Sequence, residues 1–244
     1  MTGHTVVSRQ EWLDARRALL AKEKQLTHQH DALARERQQL PWVRVDKEYI
    51  FDTPEGKKTL GDLFGDKSQL LIYHFMFGPD WEQGCPSCSM ATDTMDANYI
   101  HLTQRDAAFV MVSRAPLEKI APFKKRMGWS VPWVSSFGND FNFDFAVSFT
   151  GNDPQNSNWY NFSTSGHPSD EAPGASAFYK DEEGVIYHTY SAYARGLENI
   201  LAVYTLLDIA PNGRDEDALP WPMAWVRHHD RYETAKPAHS CCAT

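Results

Sequence analysis

Two cysteines separated by two residues are the side chains of this sequence best suited to chemistry. Cys85 and Cys88, with Pro86 and Ser87 between them, follow an apolar segment and precede a helical pattern. A thiolate is the nucleophile of thiol–disulfide exchange, and the dipole and unpaired N–H groups at a helix N-terminus favour that anion. The second cysteine lies one turn further on, where it can attack a mixed disulfide. The spacing predicts reversible thiol–disulfide chemistry, with Cys85 attacking and Cys88 resolving.

Three nearby side chains are candidates to support these cysteines. His74 lies within the apolar run 70–77 and could act as a general base toward the resolving thiol, because its pKa is close to working pH. The alternative is a hydrogen-bonded core histidine. Trp81, in the loop before Cys85, could shield the site or simply pack. Arg114, just after the second apolar run, could stabilise a thiolate or be solvated at the surface.

The elements that must position these residues alternate between strand and helix. Short apolar runs indicate buried strands, and apolar residues at helical spacing after Cys88 place the cysteines at a helix start. The order βαβ followed by ββα is that of thioredoxin, and it predicts an α/β fold with a central mixed sheet flanked by helices. The predicted elements are strand 70–77, helix 85–102, strand 107–113, helix 116–127, hairpin 175–190 and helix 197–207.

Further segments are predicted around this thioredoxin-like core. Ser8 and Glu11 have capping-box spacing, and the apolar residues that follow predict one long amphipathic helix over 9–40. This helix is expected to pack against the protein or to mediate a homodimer. The predicted divisions are an N-terminal helical arm at 1–41, a thioredoxin-like domain at 42–210 with a polar insertion at 151–171 before the C-terminal hairpin, and a C-terminal extension with a flexible tail at 211–244.

Pro173 is a fourth candidate for the site. Thioredoxin-like proteins place a cis-proline beside the two cysteines, immediately before the first strand of the hairpin, and Pro173 has the matching position. A cis bond there would expose backbone groups that can pair with an extended substrate. The alternative is an ordinary loop proline before a strand.

Several strings of residues together make this sequence resemble one known family. They are CPSC at 85–88, VSRAP at 112–116, RMGW at 126–129, WVSS at 133–136, FNFD at 141–144 and YHTYSAYARG at 187–196. The sequence resembles the bacterial thioredoxin-like family catalogued as domain of unknown function 899, whose members are labelled predicted dithiol–disulfide oxidoreductases. The resemblance runs from about residue 8 to Tyr232. It implies a thioredoxin-like fold and a redox cysteine pair at Cys85 and Cys88, and it implies no particular substrate.

Other activities could use the same cysteines. Some thioredoxin-like folds bind copper through two cysteines and a distant histidine, and here His188 or His167 could be the third ligand, since thiolate and imidazole suit soft metals. A thiol peroxidase would oxidise Cys85 to a sulfenic acid and resolve it with Cys88, although no peroxiredoxin-type Pro-x-x-x-Thr-x-x-Cys string precedes Cys85. A binding module without redox activity is a third alternative. Apart from copper, we expect no cofactor.

Composition excludes several classes of partner. The formal net charge of −8 argues against nucleic-acid binding. The longest apolar run, 70–77, is far too short to span a bilayer, and the first residues lack the pattern of a secretion signal. The remaining cysteines, Cys241 and Cys242, are adjacent, so the chain lacks the spread bridges of a secreted scaffold. We therefore expect a cytoplasmic protein that acts on a small-molecule or protein disulfide or thiol.

Overall fold

The computed structural model describes residues 3–150, 160–162 and 169–233. His167, Cys241, Cys242 and most of the predicted insertion lie outside the described residues. The chain divides into two units, residues 1–41 and 42–244. None of the described helices combines the length and the apolar character needed to cross a membrane.

The first unit is formed by one long helix, α1, at Arg9–Gln38. The Ser8 hydroxyl accepts a hydrogen bond from the Glu11 N–H (3.3 Å), and the Glu11 carboxylate accepts one from the Ser8 N–H (2.9 Å). This reciprocal capping box confirms the predicted helix start, and the helix ends two residues before the predicted position. Along α1, large apolar side chains recur at every seventh residue and are exposed, namely Trp12, Leu19, Leu26 and Leu33.

The second unit is built on one mixed β-sheet. Its strands within the described residues are β1 Val43–Arg44, β2 Ile50–Thr53, β3 Gly56–Thr59, β4 Gln69–His74, β5 Ala108–Ser113, β6 Trp133–Ser135, β7 Gly174–Lys180 and β8 Ile186–Tyr193. They lie in the order β1-β8-β7-β4-β5-β6-β2-β3. The pairs β4–β5 and β5–β6 are parallel, and the hairpin β7–β8 joins β4 in antiparallel pairing. The predicted mixed sheet is confirmed.

The helices complete the predicted arrangement. They are α2 Pro86–Leu102, α3 Leu117–Met127, α4 Phe141–Asp144 and α5 Ala202–Ile209. The connection β4-α2-β5, followed by β7-β8 and α5, gives the strand order β8-β7-β4-β5 of a thioredoxin-like fold. The sequence predicts one final helix over 197–207, but the structure contains two helices in this region. A 3₁₀ helix, Ala194–Ile200, precedes α5, and the non-helical backbone of Leu201 (φ −106°, ψ 70°) separates the two.

The sheet buries an apolar cluster on each face. One cluster includes Tyr73, Phe75, Cys88 and Trp133 and packs with α2 and α3. The cluster on the other face includes Leu70, Ile72, Val112, Phe141 and Phe178. Because side chains alternate along a strand, neighbouring residues of β4 belong to different clusters. This alternation decides which residues of β4 can reach the cysteines.

Candidate functional site

The cysteine pair lies at the start of α2, as the sequence predicts. Cys85 is the N-cap residue, and Pro86 occupies the first helical position, where a missing N–H removes no helical hydrogen bond. The Cys85 N–H donates to the Met76 carbonyl oxygen (3.0 Å), and the Ser89 hydroxyl donates to the Cys85 carbonyl oxygen (2.9 Å). The segment after β4 and the first turn of α2 thus both hold the backbone of Cys85.

The two thiols are free and lie in different environments. Cys85 is partly exposed and Cys88 is buried. A hydrogen bond from the Cys88 thiol, helped by the backbone N–H groups of Cys88 and Ser87, lowers the pKa of Cys85 to about 7 although burial opposes this. Burial raises the pKa of Cys88, and the interaction with Cys85 raises it further. Negative charge at neutral pH therefore belongs on the more accessible sulfur.

Tyr73 contacts the buried thiol from β4. Interaction with its hydroxyl lowers the pKa of Cys88 against the larger effect of burial. Burial also raises the pKa of Tyr73, so the phenol stays protonated and can donate. Sequence reasoning missed this residue and selected its neighbour His74. The alternation of side chains along β4 could have indicated the error, because only one of Tyr73 and His74 can face α2.

His74 lies on the opposite face of the sheet, which agrees with the alternative of a hydrogen-bonded core histidine and not with a general base beside Cys88. Its Nε2 is 2.8 Å from the Ser176 hydroxyl oxygen, which is 2.8 Å from that of Ser191. The Ser191 hydroxyl is in turn 2.8 Å from Nε2 of His188. Burial lowers the pKa of His74 to about 3, and the nearby His188 adds to the effect. The ring is a neutral core histidine that faces away from Cys88.

The structure does not bring together the proposed copper ligands. His188 packs edge-on against Phe145 (ring centroids 5.2 Å apart) and beside Phe178, both in the cluster across the sheet from Cys88. Within the described residues, no three His, Cys, Asp or Glu side chains form a group that could hold a metal ion. The second suggested histidine, His167, lies outside the described residues.

Arg114 pairs with a buried carboxylate, which differs from both roles considered for it, beside a thiolate or solvated at the surface. Its Nη1 is 2.9 Å from Oε1 of Glu171, and its guanidinium lies over the ring of Phe143, 4.4 Å from the centroid. The Ser148 hydroxyl donates to the other carboxylate oxygen of Glu171 (2.7 Å). Burial nevertheless raises the pKa of Glu171 to about 7, with Ser148 and Arg114 opposing it. No local pattern of residues indicates this long-range ion pair.

Pro173 and Trp81 both lie in the region of the cysteines. Pro173 lines a cleft beside Cys85 and Cys88. No peptide bond among the described residues is cis, so the expectation of a cis bond before Pro173 is corrected to a trans bond. Trp81 packs against the same apolar cluster as Cys85, and its ring lies 2.9 Å from the position that a Cβ on Gly78 would take.

The cleft has a volume of about 420 Å³ and opens beside both sulfurs. Tyr73 and the two cysteines line it from the core of the domain, and Leu197 and Ile200 line it from the 3₁₀ helix. Further lining comes from the C-terminal extension, through residues that include Pro222 and Met223. The extension also contacts the segment before Cys85, where Nε2 of His228 lies 2.9 Å from the Gly84 carbonyl oxygen. Sequence reasoning missed these contributions because the extension has no periodic pattern.

Strand order and the cysteine pair at the start of α2 define a thioredoxin-like protein. The chain belongs to a family of bacterial proteins of unknown function, DUF899, whose sequence profile matches residues 1–232. A search of curated proteins finds no match.

Three solved structures are similar to this chain at low identity. They are peroxidoxin BcpB of Mycobacterium tuberculosis (13% identity, 67% of this chain and 94% of that chain covered, TM-score 0.46), a PrxQ mutant of Xylella fastidiosa (13%, 65% and 88%, TM-score 0.40), and the bacterioferritin comigratory protein of Xanthomonas campestris (16%, 63% and 88%, TM-score 0.38).

Proposed function

We propose that this protein is a dithiol–disulfide oxidoreductase in which Cys85 attacks and Cys88 resolves. The observation that carries the proposal is the difference between the two thiols. Cys85 is partly exposed at a helix N-terminus and its pKa is lowered to about 7, whereas Cys88 is buried and its pKa is raised. Ordered exchange requires this asymmetry, because the accessible sulfur must react first and the protected one second.

Two displacements account for the reaction. In the first, the Cys85 thiolate attacks one sulfur of a substrate disulfide, and the other sulfur leaves as a thiolate. In the second, Cys88 gives its proton to that thiolate and its sulfur attacks Cys85, which releases the second substrate sulfur as a thiolate that is protonated by water. The protein disulfide and two thiols result, and an external dithiol then returns two electrons to the protein.

Tyr73 is a positioning residue in the second displacement. Negative charge develops on Cys88 as its proton leaves, and interaction with the Tyr73 hydroxyl lowers the pKa of that thiol. The backbone N–H of Met76 acts on the pKa of Cys88 in the same direction. Hydrogen bonds to a charged acceptor are stronger than those to a neutral one, so these donors favour the transient Cys88 thiolate.

Alkylation with iodoacetamide over a pH series, followed by mass mapping of each cysteine, tests this proposal. We expect Cys85 to react faster than Cys88, with a midpoint near pH 7. Cys88→Ala serves as the matched variant, because loss of the hydrogen-bonding thiol should move the Cys85 midpoint to higher pH. Slow and equal labelling of both cysteines in the native protein at neutral pH would contradict the proposal.

A further inference from the structure

The cleft beside the cysteines carries an inference about the substrate. Its volume of about 420 Å³ falls within the usual range of small-molecule sites. Aromatic and apolar side chains surround the two sulfurs, among them Tyr73, Met76, Pro173, Leu197 and Ile200. A molecule that reaches Cys85 through this cleft must therefore exchange water for an apolar surface.

Charged residues also line the cleft, and each is already engaged with the protein. Arg195 pairs with Glu198 (2.9 Å), and Arg214 pairs with Glu198 (3.2 Å) and with Asp208 (2.7 Å). Two arginines and two glutamates line the cleft, so their formal charges cancel.

The fourth charged residue of the lining, Glu216, is held by neutral donors. Its Oε1 accepts hydrogen bonds from the Tyr204 hydroxyl (2.7 Å), from the Trp225 ring N–H (2.6 Å) and from the Met223 backbone N–H (2.9 Å). A charged arm of a substrate would have to compete with Glu198, Asp208 and the donors of Glu216 for a partner, and burial of a charge without a partner is unfavourable.

We propose that the substrate is a small, uncharged, apolar disulfide that binds with one arm in this cleft and its S–S bond at Cys85. The proposal rests on the dithiol–disulfide function and adds the class of substrate. An alkyl or aromatic arm gains from burial against the lining. A charged peptide disulfide would lose hydration without compensation, and a folded protein disulfide would have to fit its chain into a space of small-molecule size.

Two aromatic disulfides that differ mainly in charge test whether the protein prefers an uncharged substrate. The reduced full-length protein is mixed with uncharged dithiodipyridine and, separately, with the carboxylated dithiobis(nitrobenzoate), and both rates are divided by the rates with free dithiothreitol. Oxidised glutathione and insulin are the peptide and protein comparisons. We expect the normalised rate for dithiodipyridine to exceed the other three by about tenfold or more, the effect of burying one apolar arm.

A pair of isoleucine variants tests whether the cleft causes this preference. Ile200 lines the cleft, whereas Ile209 lies at the end of α5 with 78% of its surface exposed. We expect Ile200→Glu to remove most of the preference for the uncharged disulfide and Ile209→Glu to retain it. If circular dichroism shows that Ile200→Glu does not fold, Met223→Gln tests the lining from the C-terminal extension in the same way.

The outcomes separate the two proposals. Equal or faster normalised oxidation by glutathione disulfide, insulin or dithiobis(nitrobenzoate) would overturn the substrate class and leave the dithiol function in place. An unchanged preference in a folded Ile200→Glu protein would also overturn it. If none of these disulfides converts the protein to its Cys85–Cys88 disulfide, the dithiol function itself fails.

Discussion

Nε2–H of His228 donates a hydrogen bond of 2.9 Å to the carbonyl oxygen of Gly84, the residue directly before the attacking cysteine. Arg126 donates to the other ring nitrogen, Nδ1, at 2.8 Å, which fixes the neutral tautomer. Gly84 itself has no room for a side chain, because a Cβ would lie 2.6 Å from a ring carbon of Phe75. The C-terminal extension thus holds the segment that places Cys85 at the start of α2.

Replacement of His228 should therefore affect Cys85, although the ring is not adjacent to it in sequence. We expect His228→Ala to raise the midpoint of Cys85 alkylation and to lower the free energy of unfolding by about 1–3 kcal/mol, because a buried carbonyl oxygen loses its donor. His228→Gln, which keeps a donor, should restore part of the alkylation midpoint. His229→Ala is the control, because its ring bonds to Asp93 instead (2.8 Å). An unchanged alkylation profile in His228→Ala would refute the positioning role.

Removal of the Tyr73 hydroxyl should slow the second displacement and spare the first. We expect Tyr73→Phe to form the mixed disulfide at Cys85 at a near-normal rate and to resolve it about tenfold more slowly, since a hydrogen bond to a charged sulfur is worth about 1.5–3 kcal/mol. Quenched-flow mass spectrometry measures both rates. Tyr187→Phe, which removes a hydroxyl bonded to Asp181 (3.1 Å), should change neither. Equal rates of resolution in Tyr73→Phe and the native protein would contradict the role.

The buried histidine on the far face should make the protein sensitive to acid. The pKa of His74 is about 3 in the folded protein against an ordinary value of 6.5. Between these values the unfolded chain binds a proton that the folded one does not, so His74 lowers stability as pH falls from about 6.5 to 3. We expect urea unfolding of His74→Asn to show a pH slope smaller by up to about 1.4 kcal/mol per pH unit. An unaltered slope would show that His74 titrates in the folded protein.

Glu171 should change stability with pH in the direction opposite to His74. Its pKa is about 7 in the folded protein against an ordinary value of 4.5. In that interval the folded protein binds the additional proton, so the stabilisation from protonated Glu171 is complete below about pH 4.5 and is lost as pH rises to 7. We expect Glu171→Gln to remove this loss, so that the variant gains stability relative to the native protein as pH rises. Urea unfolding at a series of pH values measures the stability of both proteins. A variant that loses stability relative to the native protein as pH rises would contradict a raised pKa of Glu171.

The seven-residue repeat on α1 should favour self-association. Trp12, Leu19, Leu26 and Leu33 are exposed along α1, and an apolar residue at every seventh position fills one of the two positions by which helices meet in a coiled coil. We propose that a second copy of this chain covers this seam. Sedimentation equilibrium should show a native dimer that Leu26→Glu weakens at least tenfold and that Gln25→Glu does not weaken. A native protein that is monomeric at high concentration would contradict this.

Local patterns in the sequence were sufficient for much of the architecture. The capping box at Ser8, the apolar periodicity of β4 and β5 and the position of Cys85 before a helical run each depend on residues close together in the chain. Such patterns can be recognised without knowledge of long-range contacts, because helix caps and strand alternation depend on neighbouring residues. They determined the thioredoxin-like order of elements and the thiol pair.

Only the tertiary structure decided which residues surround that pair. Alternation shows that Tyr73 and His74 face opposite sides, but the side that α2 covers depends on how β4 pairs and where the crossover packs. Arg114 meets Glu171, and His228 meets Gly84, across long stretches of chain with no periodic pattern between them. Contacts of this kind form when the folded core brings distant segments together, and no local preference of the residues involved encodes them.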